Sequence, residues 1–249
     1  MYKYKYSHIY LPVLFALFLG LFLDSKDISN KFINSQYIAN FITLITFIWI
    51  YFKVSAKIKK LMLYGLILAF FGEVFFSLVL GMYTYRLENL PFYVPLGHSI
   101  IYAGVFYISK EAVLKQNKEL VIKILYVLMI IYSTAWLIFA NDVFGFICML
   151  VIIYLLNKKP HTKLFFLVMF FMIVYLELLG TYFECWVWPE VWFDKITFIS
   201  SANPPSGISV FYFGFDIGCL LIYRQFNKIK WQRLRNLQKI KREKLWYYI

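Results

Sequence analysis

About eight apolar stretches of roughly 16 to 24 residues divide this sequence and limit the folds open to it. A helix rises about 1.5 Å per residue, so about 20 residues cross a hydrocarbon core of about 30 Å. The stretches are close to this length. The sequence therefore predicts an all-α polytopic integral membrane protein with about eight transmembrane helices. The predicted spans are residues 8–23, 37–52, 61–82, 93–108, 120–140, 142–157, 164–187 and 207–223.

The composition agrees with a chain that lies mostly in the bilayer. Hydrophobic residues make up 62% of the 249 positions and charged residues 16%, whereas soluble domains carry about 25% charged residues. The spans leave no room for a separate soluble domain. The first stretch resembles a signal peptide in position, but no small-residue cleavage site follows it, and we interpret it as a helix.

The net charge of +13 follows the predicted topology. Only Lys26, Lys31, Arg86 and Lys195 lie on one side of the spans, and the other 22 of the 26 Lys and Arg residues lie on the other side. Basic residues favour the cytoplasmic side. The sequence therefore predicts a multi-pass protein of the cell (inner) membrane with both termini in the cytoplasm. We expect membrane lipids as partners and no nucleic acid.

Two similar phrases suggest an internal repeat. "PLGHSIIYAG" begins at Pro95 and "PSGISVFYFG" at Pro205, and the two share five of ten positions. Each follows a helical hairpin with a carboxyl inside the membrane, Glu73 in one and Glu177 in the other. Shared composition could also produce such a match. The interpretation we prefer is two parallel four-helix repeats, residues 1–109 and 110–223, followed by a basic cytoplasmic tail, residues 224–249.

Four ionisable residues are predicted to lie in the outer half of the bilayer. From helix rise, Glu73, Glu177 and Asp216 lie roughly 12 to 14 Å below the outer interface and His98 roughly 5 Å below it. An intramembrane charge costs about 2.5 to 3.5 kcal/mol on insertion scales, so such residues face partners or a cavity. These four are the candidate catalytic residues. The alternative is that they join helices through hydrogen bonds.

Neutral residues near these four complete the candidate site. An aromatic ring or amide at the outer interface can contact a substrate, although each can equally be a packing residue. Arg86 and Glu88 are expected to be solvated. The three cysteines stand singly, so no metal site, disulfide or cofactor is predicted. The candidate substrate-binding residues are Tyr102, Tyr212, Tyr83, Trp188 and Asn203.

The segments that follow the two glutamates resemble a known family. Glu73 followed by "GMYTYRLENLPFYVP", and "CWVWP" followed by "NPPSG", are similar to the carotenoid-hydratase family of membrane enzymes and, more distantly, to the membrane lycopene cyclases. The resemblance covers two hairpins, about a third of the chain. It implies proton chemistry on an isoprenoid double bond, with Glu73 as the intramembrane acid.

Three functions remain open at this point. The first is an enzyme for a lipophilic small molecule, with Glu73 or Glu177 as acid, Asp216 as base, and His98 or Tyr102 positioning water or product. The second is a proton-coupled or passive transporter whose halves meet around the same carboxyls. The third is a non-catalytic membrane subunit. An enzyme needs a lipid-accessible pocket closed toward the cytoplasm, and a transporter needs a second opening there.

Overall fold

Eight long helices and a small two-stranded sheet dominate the computed structural model, which describes residues 4–31, 35–193, 195–229, 231–233 and 236. The α-helices and strands are α1 (Ser7–Leu23), α2 (Lys26–Ser29), α3 (Ser35–Lys53), α4 (Ala56–Glu73), β1 (Thr84–Tyr85), α5 (Tyr93–Ile108), α6 (Ala112–Gln116), α7 (Lys118–Ala140), α8 (Val143–Lys158), α9 (Lys163–Tyr182), β2 (Trp186–Val187) and α10 (Ser209–Phe226). A π-helix, Val74–Val79, continues α4, and a 3-10 turn, Pro160–Thr162, precedes α9.

Each predicted span coincides with one long helix, so the helical fold class is confirmed. Within the described part of the chain, four helices are long and apolar enough to cross a membrane: Ser35–Lys53, Ala56–Val79, Lys118–Ala140 and Pro160–Tyr182. The seventh predicted span ends too late, because Trp186 and Val187 form a strand rather than the end of α9. Most of the predicted basic tail, residues 224–249, lies outside the described residues.

The exposed surface of these helices is apolar, as expected of a membrane-embedded protein. Helix α7 is the clearest case, because its most apolar window has a mean hydropathy of 2.1 and only 11% of that window is buried inside the protein. Phe139, near its end, is 87% exposed. Exposure of such a surface to water is strongly unfavourable, whereas contact with lipid chains is not.

Helix α5 is the centre of the fold. All but three of its 16 residues are buried, which reflects contacts with α1, α3, α4 and α9. Small and hydroxylated residues allow this close packing: Gly104 faces Val13 of α1, and the Ser99 hydroxyl donates to the Met62 carbonyl of α4 at 2.8 Å. The side chains of α5 are thus held on several sides.

Contacts between the two predicted halves are reciprocal. Helix α4 of the first half packs against α10 of the second, and α9 of the second packs against α5 of the first. At one end of these helices, β1 from the first half pairs antiparallel with β2 from the second. We call this the sheet end of the bundle.

The opposite end, which we call the basic end, is joined by polar contacts between helix termini. The Glu111 carboxylate accepts from the backbone N–H of Tyr6 at 2.7 Å, which links the C-terminal side of α5 to the start of α1. Lys60 of α4 donates to the Asn227 side chain, next to the end of α10, at 2.8 Å. The ends of α1, α4, α5 and α10 that carry basic residues therefore lie together.

A buried ion pair fixes the sheet end of α1. Asp24 is fully buried, and its carboxylate lies 2.5 Å from the Arg86 guanidinium. The Tyr93 hydroxyl, in the first turn of α5, donates to the other carboxylate oxygen at 2.8 Å. Arg86 is thus not solvated as expected, whereas Glu88 is exposed. The pair ties α1, the segment after β1 and α5 together.

Asp142 makes an analogous connection in the second half. It is fully buried just after α7, and it accepts from the backbone N–H of Gly145, Ala202 and Ser206 at 2.7 to 3.1 Å. It therefore caps α8 and holds the segment that leads into α10. In each half, a buried aspartate at the sheet end joins the first long helix to the start of the fourth.

Arg86→Gln should destabilise the protein strongly. Removing one partner of a buried ion pair leaves an uncompensated charge, at a cost of about 3 to 5 kcal/mol. We expect a clear fall in the midpoint of thermal unfolding in detergent. The double variant Asp24→Asn with Arg86→Gln should recover part of the loss, because no buried charge is then left unpaired. Equal stability of Arg86→Gln and the parent would contradict a structural role for the pair.

Candidate functional site

The Glu73 carboxyl, at the last residue of α4, takes hydrogen bonds from three side chains. His98 of α5 places Nε2 at 2.8 Å from Oε1. The Tyr85 hydroxyl donates to Oε2 at 2.6 Å, and the Tyr83 hydroxyl donates to the same oxygen. Glu73 is 5% exposed, so these three donors replace water around a buried carboxyl.

The two tyrosines stay protonated donors at neutral pH. Burial of the hydroxyl groups, together with the nearby Glu73 carboxylate, raises the pKa of Tyr83 and of Tyr85 well above the usual value. Alternate residues of a strand point to the same face. A Tyr-x-Tyr sequence can therefore direct both hydroxyls at one carboxyl.

The Glu177 carboxyl, in α9, is held by two indoles. Trp186 Nε1 donates to Oε2 at 2.9 Å, and Trp188 Nε1 donates to the same oxygen at 3.1 Å. Gly180, one turn after Glu177, lets the Trp186 ring lie where a Cβ would stand. An indole N–H can only donate, so these partners fix Oε2 as an acceptor.

The β1–β2 pair brings the two carboxyl environments together. Thr84 lies opposite Val187 in the antiparallel register. Tyr83 and Trp188 are the next opposed positions in this register, and their ring centroids lie 4.5 Å apart. The donors of one carboxyl therefore pack directly on the donors of the other.

The π-helix explains a one-residue difference between the two hairpins. Glu73 precedes Tyr83 by ten residues, whereas Glu177 precedes Trp186 by nine. A π-helical turn takes in an additional residue without ending the helix. The Val74–Val79 π-helix lies in the hairpin that has the longer spacing. Both hairpins can thus deliver their aromatic donors to their own carboxyl.

A cavity lies beneath the sheet, between the two carboxyls. It contains about 820 Å³ of space not occupied by atoms, part of it open to the outside. Its walls come from both halves and are mostly aliphatic and aromatic. The polar groups cluster among the residues contributed by α4, the β1–β2 segments, α5, α9 and α10: Glu73, Tyr83, Tyr85, His98, Glu177, Trp186, Trp188 and Tyr212.

Three polar groups of the cavity have hydrogen-bonding capacity to spare. His98 Nδ1, Glu177 Oε1 and the Tyr212 hydroxyl make no hydrogen bond to any other residue in the described part of the chain, and all three residues line the cavity. The Tyr212 ring stacks on His98 with the centroids 4.4 Å apart. A bound molecule can therefore meet two acceptors and a hydroxyl in this region.

The structure brings together six of the nine candidate residues and separates three. Asp216 is buried one turn beyond Tyr212 and is not among the described residues that line the cavity. Tyr102 is buried one turn beyond His98 and also lies outside the lining. Asn203 accepts from the Trp188 backbone N–H at 3.0 Å, so it supports the loop. The six that line the cavity are Glu73, Glu177, His98, Tyr83, Trp188 and Tyr212.

His98 differs in depth from the sequence-based estimate. That estimate placed it nearer the mouth than Glu73, whereas the structure places the two within hydrogen-bond distance. The reason is where the helices end. Helix α5 begins at Tyr93, five residues before His98, and the π-helix ends at Val79, six residues after Glu73. Both side chains therefore lie between one and two turns from the sheet end.

Sequence reasoning missed the donor role of Tyr85 and Trp186. Tyr85 and Trp186 each alternate with a candidate residue, Tyr83 or Trp188, and such alternation is the sign of a strand whose polar atoms share one face. It also missed Phe215, whose ring lies edge-on to His98 with the centroids 5.2 Å apart. No feature of the sequence distinguishes Phe215 from the many other phenylalanines.

Comparisons with known proteins give no relative from which a function could be assigned, so the geometry of the site is the basis for the assignment. No family model, no curated protein and no solved structure matches the chain. Within the described residues, no group of three or more His, Cys, Asp and Glu side chains is arranged to hold a metal ion. The arrangement that the site offers is a carboxyl–imidazole pair and a second carboxyl around one apolar cavity.

Glu73→Leu should destabilise the protein more than Glu73→Gln. Leucine leaves the donors of His98, Tyr83 and Tyr85 unpaired, and each buried unpaired donor costs about 1 to 3 kcal/mol. Glutamine keeps an acceptor oxygen at the same place. We expect a loss of about 3 kcal/mol or more for Leu and a smaller loss for Gln in thermal unfolding. Glu88→Leu, at an exposed carboxyl, is the matched control, and equal losses at Glu73 for Gln and Leu would contradict the network.

Proposed function

We propose that this chain is an integral membrane enzyme that performs acid–base chemistry on a lipophilic substrate. The observation that carries the proposal is the pairing of Glu73 with His98, at 2.8 Å, in the same apolar cavity as Glu177. General acid–base catalysis needs a proton donor and a proton acceptor within reach of one substrate. The cavity offers both from different walls, α4 and α5 on one side and α9 on another.

The imidazole acts as the base in this proposal. The Glu73 carboxylate accepts from Nε2, which fixes the hydrogen on that nitrogen and leaves the lone pair on Nδ1. Nδ1 has no partner in the described residues. Glu73 thus orients His98 and stabilises the imidazolium that forms when Nδ1 takes a proton.

Glu177 acts as the acid. Its Oε2 accepts from two indoles, which leaves Oε1 to carry a proton. Transfer of that proton to one carbon of a double bond leaves a carbocation at the other carbon, and the rings of Tyr212 and Trp188 can stabilise it. Loss of a neighbouring proton to His98 gives an isomerised product. If a second double bond of the substrate first attacks the carbocation, the new cation loses its proton to His98 and gives a cyclised product. Attack by water, with its proton passing to His98, gives a hydrated product.

Asp216 and Tyr102 support the site from below in this proposal. Both are buried one helical turn further from the sheet, Asp216 beyond Tyr212 and Tyr102 beyond His98. Neither reaches the cavity lining. His98 therefore replaces Asp216 as the proposed base, and Tyr102 and Asp216 are positioning residues.

Two other functions fit the same carboxyls less well. A transporter needs a path toward the basic end, but Tyr102, Phe213 and Cys219, which follow the cavity-lining residues His98 and Tyr212 along α5 and α10 toward that end, are all buried. A purely structural role suits Glu73, whose oxygens are all partnered. It does not explain why Glu177 Oε1 has no partner among the described residues, or why a cavity lies beside it.

The substrate that we favour is an isoprenoid with a carbon–carbon double bond. The resemblance of the Glu73 and "CWVWP" segments to the carotenoid-hydratase family is the reason for this choice. Two features of the site support it. The walls are mostly apolar, and the proposed acid and base need no charged group on the substrate.

We propose that all eight long helices cross the membrane, with the sheet end outside and the basic end in the cytoplasm. The support is the grouping of basic helix ends at one end of the bundle. We also propose that the halves are parallel repeats about an axis along the membrane normal. The reciprocal packing of α4 on α10 and α9 on α5 supports this. So does the β1–β2 pair, whose register is symmetric about Thr84 and Val187.

The membrane orientation predicts the outcome of reporter fusions. A reporter fused after Ile249 should be active in the cytoplasm, and one inserted in the loop 189–200 should be active outside. A fluorescent protein that folds only in the cytoplasm and an alkaline phosphatase that is active only outside it, each placed at both positions, give a direct assay. An external C-terminus would contradict the eight-span arrangement.

The acid–base proposal predicts the effect of single substitutions on neutral lipids. Membranes that contain the parent protein should show a product absent from membranes that lack it, with a mass higher by one water or with an unchanged mass and a different retention. Glu177→Gln and His98→Gln remove the acid and the base while nearly keeping shape, and both should abolish the product. The measurement is mass spectrometry of total lipid extracts.

Glu88→Gln provides the matched control, because it makes the same change at an exposed carboxyl in the loop after β1. It should leave the product level unchanged. Thermal unfolding of each variant shows whether a loss of product reflects chemistry or unfolding. Full product formation by well-folded Glu177→Gln would exclude Glu177 as the acid.

A further inference from the structure

The partly exposed residues of the cavity lining mark where the cavity opens. Most lining residues are buried, but seven are half-exposed, and six of these seven lie in the π-helix, the turn after it, or α10. Val94 is the seventh. The opening therefore lies between the end of α4 and the start of α10. The six residues are Phe76, Met82, Tyr83, Phe211, Tyr212 and Phe215.

The surface around this opening is apolar. On the α4 side, Phe71 is 64% exposed and Val79 is 66% exposed. On the α10 side, Gly214 is exposed and its Cβ position faces open space. Among the described residues of the π-helix and of α10 up to Gly214 there is no charged side chain. This is the surface that faces lipid chains when these helices cross a membrane.

We infer that this opening is a lateral portal through which a neutral lipophile passes from the bilayer into the cavity. The inference rests on the proposed membrane placement and deepens the proposed function by naming the access route and ligand class. Phe215 stands in the portal, since its ring is half-exposed and also contacts His98 edge-on. The ring lies against Gly72 of α4, where a Cβ would collide with it.

The charge of the lining selects the ligand class. Two glutamates and one histidine line the cavity, and no Lys or Arg is among the described lining residues. An anionic group such as a phosphate or carboxylate would meet like charge without a cation to pair with it. A neutral molecule with one or two hydrogen-bonding groups suits Glu177 Oε1, His98 Nδ1 and the Tyr212 hydroxyl instead.

Gly97 offers a position for a reporter inside the cavity. It lines the cavity from α5, and a Cβ built there meets no atom within 4 Å. Gly97→Cys therefore introduces a thiol without a clash. The native cysteines Cys148, Cys185 and Cys219 are all buried, so we expect them to react slowly. Labelling of the parent chain measures this background.

The test is thiol labelling of Gly97→Cys in lipid vesicles with two reagents, N-dodecylmaleimide and a sulfonated, water-soluble maleimide. A lateral portal predicts that the dodecyl reagent labels Cys at 97 much faster than the sulfonated one. Phe215→Ala should accelerate dodecyl labelling severalfold, because it removes the ring from the portal. Phe215→Trp should slow it. Labelling after denaturation shows that the thiol is intact in each variant.

Two control positions separate access from reagent properties. Ile131→Cys lies on the exposed apolar side of α7 and should react with the dodecyl reagent whatever residue stands at 215. Glu88→Cys lies in the exposed loop after β1 and should react with the sulfonated reagent. Rapid sulfonated labelling at 97 with no effect of Phe215 would mean an aqueous opening and would overturn the portal. Failure of both reagents at 97 in a folded protein would overturn it as well.

Competition tests the ligand class. Dodecanol should protect Cys at 97 from dodecylmaleimide, whereas dodecyl phosphate at the same membrane concentration should not. Protection by the phosphate alone would overturn the neutral-ligand inference. None of these measurements requires turnover. A protein that gives the expected labelling but forms no product would support the portal and contradict the proposed enzyme. A protein that forms the product but does not give the expected labelling would support the enzyme and contradict the portal.

Discussion

The need of a buried carboxyl group for hydrogen-bond donors governs the sheet end of this protein. Glu73 and Glu177 lie among apolar helices, where an unpaired carboxyl is strongly unfavourable. Each accepts from two aromatic residues in or next to one of the two short strands, and Glu73 also pairs with His98. Because the two strands pair with each other, satisfying both carboxyls also joins the two halves of the chain. The cavity lies below the paired strands, between the two carboxyls.

The helices could be predicted from the sequence because length and hydrophobicity are local properties. The two glutamates stood out for the same reason, as charges within apolar stretches. Partners at long separation could not be predicted: Asp24 and Arg86 are 62 residues apart, and neither position constrains the other in the sequence. The Glu73–His98 pair was missed by a smaller margin, because it depends on where the helix that carries Glu73 ends, which is Val79 and not residue 82 as predicted.

The repeated phrase has two outcomes in the structure. Gly207 of the second copy lies against the backbone of Gly145, where any side chain would collide, so this glycine serves packing between α8 and α10. Gly97 of the first copy faces the cavity, and packing does not require it. The residues that follow, His98 and Ile208, both line the cavity. The same position in the phrase thus supplies a polar group in one half and an apolar wall in the other.

The hydrogen-bond donors around each carboxyl also determine which of its oxygens can exchange a proton. Indole N–H groups donate without exchanging a proton with a carboxyl, so Trp186 and Trp188 hold Glu177 and leave its other oxygen as the only route for a proton. Hydroxyl and imidazole groups can both donate and accept. Glu73 therefore belongs to a network in which Tyr83 and Tyr85 stay donors, whereas the His98 imidazole keeps a second nitrogen, Nδ1, that can accept a proton. Tryptophan donors in one hairpin and tyrosine donors in the other therefore leave the two carboxyls different: Glu177 Oε1 faces the cavity with no partner among the described residues, whereas both oxygens of Glu73 are partnered.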